Sequence, residues 1–115
     1  MPRDLRKYLH DIVEACSAIE QTAAGSSLET YQTVRQTRSS IEREFIIIGE
    51  ALRRAIDLDP SIEHNVSEAA TIIGFRNQLI HGYDVIKDEV VWRIIENDVA
   101  VLAKEAQKLL AALGG

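Results

Sequence analysis

Arg76, Asn77, His81 and Tyr83 fall close together in the run Gly74-Phe75-Arg76-Asn77-Gln78-Leu79-Ile80-His81-Gly82-Tyr83. They are set among Ile72, Ile73, Phe75, Leu79 and Ile80. A permanent cation beside so apolar a surface is costly unless it is paired or used. An arginine can hold a phosphate and offset charge that develops in a transition state. A histidine can take or give a proton near neutral pH. RNA carries its own nucleophile, the ribose 2′-hydroxyl. A His that removes that proton and an Arg on the phosphate are therefore sufficient for metal-free RNA cleavage, and DNA, lacking the hydroxyl, should resist.

Each of these residues also has a plainer use. A His at a helix C-terminus can stabilise the helix dipole. An Arg can serve an ion pair, an Asn a surface or capping amide, and a Tyr a half-buried ring with its hydroxyl in water. Spacing alone leaves both readings open. Other chemistries have less support. No carboxylate pair flanks the run, and no glycine-rich phosphate loop is present. His10, His64 and His81 are scattered, and His10 with Glu14 is a pair that chance easily supplies. No metal and no cofactor is expected.

The elements that must position these residues read as helices. Leu5, Leu9, Ile12, Cys16, Ile19 and Ala23 alternate spacings of four and three, one face of an amphipathic helix. Pro2 suits its start and Gly25 the position past its end. Cys16 lies on that stripe and reads as a small core residue. Ser26 and Glu29 have the spacing of a capping box for a short helical piece running to about Val34. Ile41, Phe45, Ile48, Leu52 and Ala55 mark a second long helix, widened by Ile46 and Ile47 and ended at Asp59-Pro60. Asn65, with Glu68 three residues on, is expected to cap a third helix through Ile72, Phe75 and Leu79, stopping near Gly82. Trp92, Ile95, Val99, Leu102, Ala106, Leu109 and Leu113 predict one final long helix, with Asp88 and Glu89 at its positive end. No window alternates with the period of a strand. Four long helices plus a short one predict an all-α, antiparallel up-and-down bundle.

On a helix turning about 100° per residue, Ile72, Phe75 and Leu79 share one face and Ile73 and Ile80 form a second stripe. Two stripes call for two apolar neighbours, and the second is expected to be another copy of the chain. Asn77 and His81 share a face, whereas Arg76 and His81 stand roughly 140° apart. Either the helix distorts near Gly82 or a second copy supplies one of the pair across a twofold axis.

The chain has 115 residues, enough for one domain spanning 1–115. It is 46% hydrophobic and 27% charged, with few Pro and Gly, a composition that argues against disorder. One cysteine excludes an internal disulfide and fits a reducing cytoplasm. No apolar run approaches a membrane span, so no membrane partner is expected. A net charge of −5 argues against broad affinity for any nucleic acid. Arg35, Arg38, Arg43, Arg53 and Arg54 nevertheless cluster, with Glu42, Glu44 and Glu50 among them, and read as a solvated helix face with i,i+4 pairing.

The Arg76-x4-His81-x-Tyr83 pattern resembles the motif of HepT-like toxins in the HEPN superfamily. Ile46-Ile47-Ile48-Gly49-Glu50-Ala51 is similar to a segment of their preceding long helix. Val90-Val91-Trp92 with Glu96-Asn97-Asp98 resembles their last helix, and Arg3-Asp4-Leu5-Arg6-Lys7-Tyr8-Leu9 their start. The resemblance implies a HEPN-like bundle that dimerises, with the motifs of both copies forming a composite cleft. It implies a metal-independent endoribonuclease acting on RNA as a toxin. It also implies a cognate minimal nucleotidyltransferase antitoxin, able to neutralise the toxin by transferring adenylyl groups to the motif tyrosine, and a homodimer that could assemble further with it. Arg76 and His81 would be the catalytic pair, Asn77 a supporting polar residue and Tyr83 the modified one. Asp84 departs from the small or aromatic residue of many relatives and bears on substrate preference. A non-catalytic helical module that recruits a nucleotidyltransferase or nucleic acid remains the alternative.

Overall fold

The computed structural model describes residues 2–82 and 87–114, with side chains from Asp4 onward. These residues form seven helices and no strand: α1 (Pro2–Ala24), α2 (Leu28–Thr33), α3 (Arg35–Leu58), α4 (Ile62–Asn65), α5 (Ala69–His81), α6 (Asp88–Asn97) and α7 (Val99–Ala112). The long stripes read from the sequence are the buried ones. Leu9, Ile12, Cys16 and Ile19 on α1 and Ile41, Phe45, Ile48 and Leu52 on α3 are all at most 1% exposed. α3 is the hub, packed along α1 on one side and α5 on the other, while α1 also packs on α7. An Arg6 Nη donates to the Leu113 carbonyl at 3.0 Å and ties the start of α1 to the end of α7.

Three local expectations are corrected. The cap of α2 is Ser27, whose hydroxyl accepts from the Thr30 N–H at 3.2 Å, whereas Ser26 turns back and donates to the Thr22 carbonyl of α1. Asn65 does not cap α5. It ends α4 and donates to the Ser61 carbonyl at 2.9 Å. The chain makes this extra helix because the Asp59 carboxylate accepts from both the N–H and the hydroxyl of Ser61, folding the segment after Pro60 into a turn. Buried Ile62 and Val66 then anchor it to the core.

The third correction is the last helix, which is two. It breaks at Asp98, after the short polar pair Asn97-Asp98, residues that compete with helix by local hydrogen bonding. Beyond the break the buried stripe is Val99, Leu102, Ala106 and Leu110, so Leu110 takes the inward place expected for Leu109. These two changes raise the helix number above the four long and one short anticipated. No helix among the described residues is long and apolar enough to cross a membrane.

Candidate active site

α5 presents the motif, and the sequence dictates how it sits. Ile72 and Phe75 are buried and Leu79 half-buried, as the helical spacing requires. Phe75 meets Phe45 of α3 edge-on, ring centroids 4.9 Å apart, an arrangement aromatic quadrupoles favour. The second stripe divides. Ile73 packs against the core of its own chain, while Ile80 stays 45% exposed beside His81.

One residue beyond Phe75, Arg76 is drawn into the α3–α5 contact and left 16% exposed. The approach is so close that a Cβ at Gly49 would lie 2.3 Å from the Arg76 Cβ. A glycine in mid-helix costs roughly 0.5–1 kcal/mol against alanine, and here the absence of a side chain admits the arginine stem. The guanidinium then donates from Nη2 to Glu50 Oε2 at 2.5 Å and from Nη1 to Asn77 Oδ1 at 2.8 Å. Its Nε is enclosed and has no hydrogen-bond partner among the described residues.

Glu50 is shared. Its Oε1 accepts from Arg54 Nε at 2.8 Å, one helical turn on. That hydrogen bond, and then the charge of Arg76, holds the Glu50 carboxyl below its ordinary range. The same bond raises Arg54 above its usual value, with Tyr8 of α1 contributing next. Arg76, Glu50 and Arg54 thus form a charge-alternating chain across α5 and α3. Beyond it an open groove of about 440 Å³ between α1 and α3 is lined by Lys7, Tyr8, Ile46, Ile47, Glu50 and Arg54, among others.

His81 is the last residue of α5 and is exposed, where a cationic side chain favours the helix dipole. Gly82 ends the helix in the left-handed region at φ 64°, its N–H donating to the Gln78 carbonyl. α5 runs unbroken from Ala69 to His81, so no distortion before Gly82 brings His81 round to Arg76. The structure therefore joins Arg76 to Asn77 and leaves His81 on a different side of the helix. Tyr83 and Asp84 lie outside the described residues. No group of three metal-ligating side chains occurs among the described residues. Residue-type reasoning missed the parts of Gly49, Glu50 and Arg54. Their signals were a glycine in mid-helix directly after three isoleucines and a Glu/Arg pair at i,i+4.

The described residues are thus all helical apart from their turns, and α5 seats Arg76 against the Gly49-Glu50 pair of α3. A model of the family described as ribonuclease HepT-like matches residues 12–109, and the chain belongs to that family. It is 29% identical over 109 residues to a Thermococcus cleftensis protein named "Probable ribonuclease HepT", covering 95% of this chain and 98% of that one. It is also 29% identical over 105 residues to a Methanocaldococcus jannaschii protein named, with the same reservation, as an RNase, covering 91% and 95%. A third relative so named, from Caldanaerobacter subterraneus subsp. tengcongensis, is 26% identical over 91% of this chain and 93% of its own. No solved structure matches significantly.

Proposed function

We propose that this protein is the toxin of a HEPN–nucleotidyltransferase toxin–antitoxin pair, a metal-independent endoribonuclease of the cytoplasm. The observation that carries the reading is Arg76, a largely buried arginine held between α3 and α5, five residues before an exposed His81 in a chain of the HepT-like ribonuclease family. The single domain, residues 1–115, is an antiparallel up-and-down bundle that pairs with a second copy. Exposed Ile80, next to His81, suits that contact. The unbroken α5 supports a composite cleft, because the Arg76 of one copy and the His81 of the other can face one phosphate where those of one copy diverge.

In that cleft His81 removes the proton of a ribose 2′-hydroxyl. The 2′-oxygen bonds to phosphorus, the bond to the 5′-oxygen breaks, and the leaving oxygen takes up a proton. The products are a 2′,3′-cyclic phosphate and a 5′-hydroxyl. Arg76 offsets the charge that builds on the phosphoryl oxygens, and Asn77 supports its guanidinium. No metal or cofactor takes part.

The partner is a minimal nucleotidyltransferase, and higher assemblies form with it. Transfer of adenylyl groups to Tyr83 would place a phosphodiester anion and a nucleoside beside the cleft, competing with RNA for Arg76. The test of the cleavage half compares an RNA with the same oligonucleotide carrying 2′-deoxyribose throughout, in EDTA. Cleavage of the RNA alone is expected, and cutting of both would end the 2′-hydroxyl reading. The test of the regulatory half is intact mass after incubation with the partner and ATP. A gain in multiples of one AMP, absent from Tyr83→Phe, is expected, and an unchanged mass would remove it. Partner binding without any RNA cleavage would make the chain a binding module instead.

A further inference from the structure

We infer that Glu50 is a positioning residue for Arg76, fixing the guanidinium from α3 so that its remaining Nη hydrogens face a phosphate. For its effect on catalysis the inference rests on the ribonuclease reading, but its geometry stands independently.

A guanidinium offers five N–H donors in one rigid plane. In Arg76 one Nη2 hydrogen goes to Glu50 and one Nη1 hydrogen to Asn77, while Nε is enclosed. The hydrogens left on the two Nη atoms are the ones a substrate can reach. Two bonds at the edge of a planar fork set both its place and its rotation, which one bond to Asn77 cannot do. Glu50 is itself held, because its second oxygen is occupied by Arg54 on the same helix. Gly49 completes the device, since only a residue without a side chain lets the Arg76 stem lie this close to α3. The ion pair thus does more than neutralise a half-buried charge. It orients a group whose angle to the phosphate decides how well it meets the transition state.

Kinetics of Glu50 variants test this. Glu50→Ala should lower kcat about 10–100-fold with little change in KM, the range expected for a misaligned transition-state contact. Glu50→Gln, which keeps the shape and one acceptor oxygen, should retain more of the rate. In an Arg76→Ala background Glu50→Ala should cost nothing further, because Glu50 acts through Arg76. An unchanged kcat in Glu50→Ala, or losses that multiply in the double variant, would overturn the positioning role.

A second measurement needs no activity. The enclosed Arg76 Nε–H should give a slowly exchanging nitrogen-proton NMR signal, assigned by its absence from Arg76→Lys. That signal should exchange faster in Glu50→Ala, or in Glu50→Gln should the alanine variant fail to fold. A signal unaffected by the substitution would overturn the inference. If the wild type does not cleave RNA but the signal depends on Glu50, the ribonuclease reading fails and the positioning stands.

Discussion

A Cβ on Gly49 would lie 2.3 Å from the Cβ of Arg76 and 2.6 Å from its Cγ, so α3 and α5 fit together at this point only around a glycine. Those atoms are the root of the arginine side chain and cannot swing away as its tip could. Gly49→Ala should destabilise the protein by about 1–3 kcal/mol, the usual cost of overpacking, less up to about 1 kcal/mol returned by alanine's better helix propensity. Urea denaturation measures the sum. The same change should displace Arg76 and lower RNA cleavage beyond what the unfolded fraction explains. A variant as stable and active as the wild type would show that the contact opens freely.

The acid limb of stability should carry the mark of Glu50. Its carboxyl is held below the ordinary 4.5, first by the hydrogen bond from Arg54 and then by the charge of Arg76. The folded chain binds this proton less readily than the unfolded one. The carboxylate's contribution is therefore present in full above 4.5 and is lost as pH falls through the lower folded value. The side chain is 33% exposed, so solvent keeps that contribution small. Thermal midpoints of the wild type and Glu50→Gln should differ by a constant gap above about pH 5 and converge below it. A gap that ignores pH would contradict this.

Cys16 should be inert in the folded protein. Burial, with Glu20 adding to it, pushes the thiol from 9.0 up to about 12, and the side chain is 0% exposed. A disulfide reagent at about pH 8 should label it only after denaturation. Because the unfolded thiol ionises near 9.0 and the folded one does not, this group lowers stability as pH rises past that value. Rapid labelling of the native chain would mean that the α1 stripe opens.

Ile80 should govern assembly. It is a large apolar side chain 45% exposed beside His81, and a charge placed in an apolar contact between two copies is costly. Sedimentation at micromolar concentration should show a dimer for the wild type and a monomer for Ile80→Glu, with cleavage lost in parallel. A monomeric wild type that still cleaves RNA would rule out a cleft shared between copies.

The helices were legible where apolar spacing dominates. α1 ends at Ala24, before Gly25, and α3 at Leu58, before Asp59-Pro60, as their stripes and breakers demand. Apolar spacing carries no information where one polar side chain decides. Asp59 folding Ser61 into α4, Ser27 capping in place of Ser26, and Asp98 dividing α6 from α7 are local competitions that periodicity does not record. Arg76 and Asn77 were visible by type. The partner that fixes Arg76 was not, because Glu50 lies 26 residues away and only tertiary packing brings the two together. Arg38 shows the same limit. Its spacing predicts a place in a solvated stripe, and it does pair with Glu42, but it also bridges to Asp88, 50 residues on.

The central claim is that Arg76 and His81 cleave RNA through its 2′-hydroxyl. The direct measurement is end-group analysis of a labelled RNA incubated in EDTA with the purified protein, beside Arg76→Ala and His81→Ala. The wild type should leave a 2′,3′-cyclic phosphate. Arg76→Ala should lose about 10²–10³ in rate, as removal of an oxyanion-stabilising donor does, and His81→Ala about 10²–10⁴, the range for a general base. Cleavage that survives in both variants would contradict the account.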